Sequence, residues 1–149
     1  LAPKMEGVPR YPGDAAFLLE FTPFAVPINL RHHFYDFQVA GSLPVVAHVE
    51  RYQHITDNKE RLEAIGANSA LLVNLASLTG WWSSRDARRL VRDGWVHAAA
   101  TDAHGPADLD LCQKGIAWLH AKLGEDALYR LLRDNPRQII AGQLPEAWR

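Results

Sequence analysis

The chain has 149 residues, of which 48% are hydrophobic and 22% charged, so it is long enough for one domain with a hydrophobic core. Its formal net charge of -1 provides no basic surface for nucleic acid, and no run of about 18 apolar residues predicts a membrane span. The single cysteine, Cys112, excludes an internal disulfide and a cysteine-based zinc site, and we interpret it as a small buried residue, not a catalytic thiol.

Residues 1–13 are rich in proline and glycine and predict an irregular N-terminal arm. Residues 14–149 are interpreted as one domain, in which short apolar runs alternate with amphipathic segments. The apolar runs are residues 16–19, 44–47, 70–73 and 96–100. They are rich in Val, Leu and Ala and show no polar alternation, which is typical of strands buried on both faces.

Amphipathic segments between these runs predict helices. The first covers residues 30–40, the second runs from an N-cap at Thr56 or Asp57 to Gly66, and the third runs from Ser83 or Ser84 to Gly94. Further helices, with no strand between them, are predicted over residues 109–123, 127–133 and 136–141. The alternation of strand and helix predicts right-handed βαβ units, and therefore an α/β fold with a parallel sheet.

Polar side chains suited to binding metal or phosphate follow all four predicted strands. They are Glu20, then His48 with Glu50 and Arg51, then Asn74, and finally Asp102 and His104. The carboxyl ends of parallel strands lie on one face, so we expect the carboxylates and imidazoles that follow directly to converge. Hard and borderline metals prefer such ligands. The sequence therefore predicts a metal-dependent hydrolase whose metal ligands are Glu20, His48, Asp102 and His104.

The candidate catalytic side chains are Arg51 and Asp102. The planar guanidinium of Arg51 suits a phosphate or carboxylate, and its alternative role is an ion pair with Glu50 or Asp57. Asp102 could act as a base or hold a bridging water, and its alternative role is that of a helix N-cap.

The other candidate ligands also have structural interpretations. Glu20 could be a solvent-facing residue at a strand end, His48 a satisfied core histidine and His104 a surface residue. Trp81 and Trp82 could form an aromatic wall of the site, pack in the core or face a partner. Asn74 could contact substrate or cap a turn. The remaining histidines are interpreted as surface or packing residues: His32, His33, His54, His97 and His120.

Five motifs in fixed order resemble one known family. They are Leu18-Leu19-Glu20-Phe21, Pro44-Val45-Val46-Ala47-His48-Val49-Glu50-Arg51-Tyr52, Asn74-Leu75-Ala76-Ser77-Leu78-Thr79-Gly80, Thr101-Asp102-Ala103-His104 and Asp134-Asn135-Pro136-Arg137-Gln138-Ile139-Ile140. Over residues 8–144 the chain resembles the bacterial tyrosine-protein phosphatases of the polymerase-and-histidinol-phosphatase (PHP) superfamily, which are found with capsule and exopolysaccharide genes. The His-Val-Glu-Arg-Tyr stretch followed by Thr-Asp-Ala-His is specific only in combination.

This resemblance implies a distorted (β/α)7 TIM-like barrel of the PHP fold, with divalent metals at the carboxyl ends of its strands. Manganese is the first expectation, with iron, zinc and magnesium as alternatives. It implies that Glu20, His48, Asp102 and His104 bind metal, that Arg51 binds the phosphoryl group, and that no phosphocysteine forms. The implied substrate is a phosphotyrosine protein in the cytoplasm, such as a tyrosine kinase of polysaccharide export.

Members of this family open with a strand that ends in His-x-His, followed by a further His and Glu. These residues have no counterpart here, so we expect a partial barrel without its N-terminal strands and a chain that needs further ligands for activity. In the family an Arg follows shortly after the Asp-x-His motif, whereas no Arg follows shortly after His104 here. Two alternatives to the tyrosine phosphatase are a hydrolase of small phosphoesters, such as histidinol phosphate, and a non-catalytic module that binds a partner.

Overall fold

A computed structural model describes residues 5–22, 27–82 and 84–148. Its centre is a parallel sheet with the strand order β1-β2-β3-β4. The strands are β1 (Ala16–Leu19), β2 (Leu43–Val46), β3 (Ala70–Asn74) and β4 (Ala98–Ala100). All three strand pairs are parallel, which confirms the predicted α/β fold. The four strands lie where the apolar runs predicted them, with ends shifted by one or two residues.

Helices follow each strand of the described chain. They are α1 (Leu30–Val39), α2 (Gln53–Thr56), α3 (Lys59–Gly66), α4 (Arg85–Arg92), α5 (Pro106–Leu123), α6 (Glu125–Tyr129) and α7 (Asn135–Ile140). Short 3-10 turns, Val49–Arg51 and Ala76–Leu78, follow β2 and β3. None of the helices in these residues is long and apolar enough to cross a membrane. Residues 5–15 contain neither helix nor strand.

The start of α3 differs from the prediction. Its N-cap is Asn58, whose Oδ1 accepts a hydrogen bond from the backbone N–H of Arg61 at 3.0 Å. The predicted caps, Thr56 and Asp57, instead lie at the end of α2. Residues 53–56 thus form a helix of their own, because the chain turns once more after β2 before α3 begins. The prediction of a cap at Thr56 or Asp57 was wrong by one or two residues.

At the start of α4, Ser84 occupies the cap position, but its hydroxyl donates to the carbonyl of Gly80 at 2.6 Å instead of capping the helix. Ser83, the other predicted cap, lies outside the described residues. Gly94 follows the helix with a φ of 79°, which is the left-handed conformation that a terminal glycine provides. The predicted end of this helix is confirmed.

The helices predicted over residues 127–133 and 136–141 are continuous in the structure. A π turn, Arg130–Asp134, joins α6 to α7. Pro136 lies in the first turn of α7, where its missing N–H and its ring are incompatible with an ordinary α-helical bond to the preceding turn. The wider π turn accommodates this proline without ending the helix.

The two faces of the sheet are packed differently. Side chains such as Val46, Leu71 and Val73 lie on one face, within a core shared with α1, α3, α4 and α5. The side chains on the other face are smaller. Ala16, Val45, Ala70 and Ala98 pack there with Ile139 from α7. Leu18 on that face is 49% exposed. The sequential strand order explains this, since right-handed crossovers between consecutive neighbours all pass over the same face.

β4 begins later than predicted, and the hydrogen bonds of His97 account for this difference. Its backbone N–H donates to the carbonyl of Leu71 at 2.9 Å, and its Nδ1 accepts from the backbone N–H of the same residue at 3.0 Å. Asn135 donates its side-chain amide to the His97 carbonyl at 2.7 Å. The imidazole is thus a packing residue, as interpreted from the sequence. Burial lowers its pKa from 6.5 to about 4.

This buried imidazole predicts a loss of stability in acid. The folded-state pKa of His97 lies below its unfolded value, so the unfolded chain binds the proton first. Its contribution is complete above pH 6.5 and is lost as the pH falls toward 4, by up to about 3 kcal/mol. We expect His97→Asn, which retains an acceptor for Leu71, to weaken this dependence. Urea unfolding at about pH 7 and about pH 4.5 measures it; equal pH dependence of both proteins would contradict it.

Candidate metal centre

Two residues at the carboxyl edge of the sheet have left-handed backbones. His48, two residues after the end of β2, has a φ of 35°, and Asp102, two residues after the end of β4, has a φ of 45°. Each such conformation costs on the order of 1–2 kcal/mol in a residue with a side chain. Both are residues that the sequence predicts as metal ligands. The sharp turns place their side chains at the same edge of the sheet, and backbone strain of this kind is typical of functional sites.

Glu20 and His48 form the first pair of predicted ligands. The backbone N–H of Ala47 donates to the Leu19 carbonyl at 3.0 Å and extends the pairing of β1 with β2 up to these residues. The Tyr52 hydroxyl also accepts from the Phe21 backbone N–H at 3.1 Å. As a result, Nε2 of His48 lies 3.5 Å from Oε1 of Glu20.

This separation fits two ligands of one ion. It exceeds the usual length of an N–H···O hydrogen bond, which is about 2.7–3.2 Å. Ligand bonds of about 2.1 Å at a tetrahedral angle place an imidazole nitrogen and a carboxylate oxygen roughly 3.4 Å apart. The His48 side chain is 10% exposed and that of Glu20 is 58% exposed, so the pair is open to solvent on the carboxylate side.

Asp102 is the centre of the second group. Its Oδ2 accepts from the side-chain amide of Asn74 at 2.9 Å, and the Arg51 guanidinium lies 4.0 Å from the same oxygen. Asn74 is the last residue of β3 and lies beside Ala100 in the sheet, so its side chain reaches the residue that follows β4. Asn74 thus orients the carboxylate. Asp57, an alternative partner of Arg51, instead pairs with Arg89 at 3.6 Å.

His104 is exposed and is oriented by backbone contacts. Its Nδ1 lies 2.8 Å from the carbonyl of Asp102. A carbonyl only accepts, so Nδ1 carries the proton and Nε2 retains a lone pair for a metal. The backbone N–H groups of His104 and Gly105 donate to the Asp108 carboxylate at 2.8 and 3.2 Å, which caps α5 and holds the loop.

Glu50 is buried beneath these two groups and was not among the predicted ligands. Its Oε1 accepts from the backbone N–H of Asn74 at 3.3 Å. Burial raises the pKa of Glu50, while the nearby Ser77 hydroxyl, the Asn74 backbone N–H and His48 act in the opposite direction. The signal in the sequence was a carboxylate three residues beyond the apolar run 44–47.

The structure thus brings the predicted ligands together as two pairs. Glu20 and His48 follow neighbouring strands, while Asp102 and His104 follow β4, two strand spacings or roughly 10 Å from β2. Within residues 5–22, 27–82 and 84–148, no three His, Cys, Asp or Glu side chains are close enough to hold an ion together. The spacing of the first pair and the tautomer of His104 nevertheless fit metal binding.

The structure also shows the positions of the two tryptophans and the cysteine discussed above. Trp81 and Trp82 are 86% and 80% exposed, which excludes core packing among their three proposed roles. Cys112 is buried in α5, with its Sγ 3.6 Å from the Thr101 carbonyl, and burial raises the pKa of its thiol. A thiol of this kind is a poor nucleophile.

Comparison with known proteins shows the family to which this chain belongs. A sequence family described as "Capsular polysaccharide synthesis, CpsB/CapC" matches residues 6–141. The chain belongs to the CpsB/CapC family. The tyrosine-protein phosphatase YwqE of Bacillus subtilis is 30% identical over 131 residues, which are 85% of this chain and 51% of YwqE. The putative tyrosine-protein phosphatase CapC of Staphylococcus aureus is 29% identical over 91 residues, 58% of this chain and 36% of CapC.

A solved structure also matches this member of the CpsB/CapC family. It comes from the crystal structures of YwqE from Bacillus subtilis and CpsB from Streptococcus pneumoniae, which are metal-dependent tyrosine phosphatases. The TM-score is 0.72 at 28% identity, and the match covers 86% of this chain and 53% of the other. The chain therefore spans about half the length of YwqE and a smaller part of CapC.

Proposed function

We propose that this chain carries part of the active site of a metal-dependent tyrosine-protein phosphatase of capsular polysaccharide synthesis. The observation that carries the proposal is the 3.5 Å separation of Glu20 and His48 at the carboxyl edge of a parallel sheet. Membership of the CpsB/CapC family and the metal-dependent tyrosine phosphatases among the structural neighbours support it.

The sheet would be one arc of a distorted (β/α)7 barrel of the PHP type. Two observations support this: the strands are sequential neighbours, and the larger core with α1, α3, α4 and α5 lies on one face. A doubly wound sheet instead reverses its strand order and has helices on both faces. The opposite face, lined by small residues such as Ala16, Ala70 and Ala98, would face the interior of the barrel.

The proposed ligands of divalent metal are Glu20, His48, Asp102 and His104, with Mn²⁺ as the first expectation and iron, zinc or magnesium as alternatives. Bound metal ions supply an activated water and neutralise charge on the phosphoryl group. The chain's own residues prepare this site: His48 and His104 present Nε2, and Asn74 orients the Asp102 carboxylate.

Arg51 is proposed to bind the phosphoryl group of the substrate. Its side chain is 56% exposed and only loosely paired with Asp102 at 4.0 Å, so the guanidinium is available to an incoming anion. A guanidinium can form two parallel hydrogen bonds to phosphate. Asp102 would hold metal or a bridging water and, through its charge, orient Arg51.

The proposed substrate is a phosphotyrosine protein, with a tyrosine kinase of polysaccharide export as the first candidate and the cytoplasm as the compartment. Two observations support this proposal: two relatives carry the name tyrosine-protein phosphatase, and the family is one of capsular polysaccharide synthesis.

The test is hydrolysis of a phosphotyrosine peptide and of p-nitrophenyl phosphate by the full-length gene product. We expect EDTA to abolish activity and added Mn²⁺ to restore it. We expect Cys112→Ala to leave the rate within about twofold, since the buried thiol takes no part. Activity that survives EDTA, or that disappears with Cys112, would contradict the proposal. A preference for histidinol phosphate would change the substrate class, and no activity with any phosphoester would favour a binding module.

A further inference from the structure

Two buried polar atoms behind the candidate metal centre have no hydrogen-bond partner among the described residues. They are Nδ1 of His48 and Oε2 of Glu50. The two residues are only 8% and 9% exposed. A buried polar atom without a partner costs about 1–3 kcal/mol, so native proteins pair such atoms with each other or with water.

These two atoms are complementary and belong to neighbouring side chains. His48 and Glu50 are separated by one residue in the 3-10 turn region after β2, and the imidazole acts electrostatically on the Glu50 carboxylate. A deprotonated carboxylate oxygen accepts, and a protonated Nδ1 donates. Nε2 of His48 is already turned toward Glu20, which leaves Nδ1 as the atom available to Glu50.

We propose that Glu50 is the positioning residue of this centre, with Oε2 accepting the Nδ1 proton of His48 directly or through one water while Oε1 holds Asn74. The inference rests on the proposed function. The contact with Glu50 fixes the proton of His48 on Nδ1. The Nε2 lone pair is then directed at the proposed ion. A carboxylate behind a metal-binding histidine commonly has this role.

The same carboxylate supports the second pair of ligands. Oε1 of Glu50 accepts from the Asn74 backbone at 3.3 Å, and the Asn74 side chain donates to Asp102 at 2.9 Å. His104 has a matching arrangement, since its Nδ1 is held by the Asp102 carbonyl. Both imidazoles would therefore have Nδ1 bound and Nε2 free, and Glu50 would contact the supports of both pairs.

Glu50→Gln tests the inference because it turns the acceptor that faces His48 into a donor and retains the acceptor for the Asn74 N–H. The Asn74 N–H still needs an acceptor, so the glutamine oxygen stays there and the NH₂ group faces Nδ1 of His48. We expect His48 to change from the Nδ1–H tautomer to the Nε2–H tautomer in the metal-free, full-length gene product. Long-range ¹H–¹⁵N NMR measures this directly, with the His48 signals identified by their absence in His48→Gln.

Metal affinity provides the second measurement. The Nε2–H tautomer must lose its proton to bind metal, so we expect the Mn²⁺ dissociation constant of Glu50→Gln, measured by titration calorimetry, to rise about 10–100-fold. Glu60→Gln is the matched control, because Glu60 is exposed on α3 and loses the same charge. Glu50→Asp retains a carboxylate, and we expect it to retain the Nδ1–H tautomer and most of the affinity.

Several results would overturn the inference. They are an Nε2–H tautomer in the wild-type protein, an unchanged tautomer and Mn²⁺ affinity in Glu50→Gln, or a Glu50→Asp variant as weak as Glu50→Gln. If Glu50→Gln does not fold, the inference is tested by the His48 tautomer of the wild-type protein and by the tautomer and Mn²⁺ affinity of Glu50→Asp. A protein that shows the expected tautomers and binds Mn²⁺ but hydrolyses no phosphotyrosine would refute the proposed function and leave the role of Glu50 intact.

Discussion

Asp102→Asn is expected to lower kcat/KM for a phosphotyrosine peptide by on the order of 10³ in the full-length gene product. The substitution removes the negative charge that would hold metal and orient Arg51, which lies 4.0 Å away. It preserves size and an oxygen that can accept from Asn74. Asparagine also tolerates the left-handed backbone at this position, where φ is 45°. The loss should therefore appear in activity and not in folding.

Asp110→Asn is the matched control for this prediction. Asp110 is exposed on α5, so its substitution removes the same charge near the site without a proposed role in it. We expect its kcat/KM to stay within about twofold of wild type. Thermal unfolding of both variants checks that the fold is retained. If Asp102→Asn is as active as Asp110→Asn, Asp102 is not part of the catalytic site.

The sheet could be predicted from the sequence because each strand is marked by a short apolar run, which is a local pattern. Four apolar runs, each bounded by glycine, proline or polar residues, marked the parallel strands, and the residue after each run marked the functional edge. Glu20 and His48 were expected to be close for that reason, and they are 3.5 Å apart. Helix ends were harder to predict, since Thr56, Asp57 and Asn58 are all good caps and only the extra helix α2 decides among them.

The connections within the site could not be predicted. The distance between Asp102 and His48 depends on how far the sheet curves across β3, which no local pattern reports. The role of Asn74 depends on its register with Ala100. Glu50 carries no signal that separates a buried, hydrogen-bonded carboxylate from a solvated one. For Trp81 and Trp82 the sequence left a core position and a partner-facing position open, and only the structure shows that both side chains are exposed.

Gly115→Ala is expected to be the most destabilising single-methyl change that the structure identifies in the core. Gly115 is in the middle of α5, where the helix crosses the end of β3. A Cβ atom there would lie 2.1 Å from the carbonyl oxygen of Leu75 and 2.8 Å from its carbonyl carbon. These are backbone atoms, so the helix itself must move. We expect a loss of about 3 kcal/mol, even though alanine favours a helix by about 1 kcal/mol relative to glycine.

Gly66→Ala provides the opposite result from the same chemical change. Gly66 ends α3, and a Cβ there would meet only the Leu71 side chain at an ordinary 3.6 Å. We expect this variant to gain up to about 1 kcal/mol from reduced freedom of the unfolded chain. Thermal unfolding followed by circular dichroism should show Gly115→Ala roughly 9 °C below wild type and Gly66→Ala slightly above it. Two variants that both raise the melting temperature would show that α5 does not approach Leu75 this closely.

The position of Gly115 also connects stability to the site. Leu75 directly follows Asn74, whose backbone bonds Glu50 and whose side chain bonds Asp102. A helix displaced by the new methyl group would shift this segment and loosen both contacts. We therefore expect Gly115→Ala to weaken Mn²⁺ binding in addition to unfolding earlier, and Gly66→Ala to leave the Mn²⁺ dissociation constant unchanged. Weakened binding in both variants, or in neither, would mean that α5 does not hold the end of β3 in place.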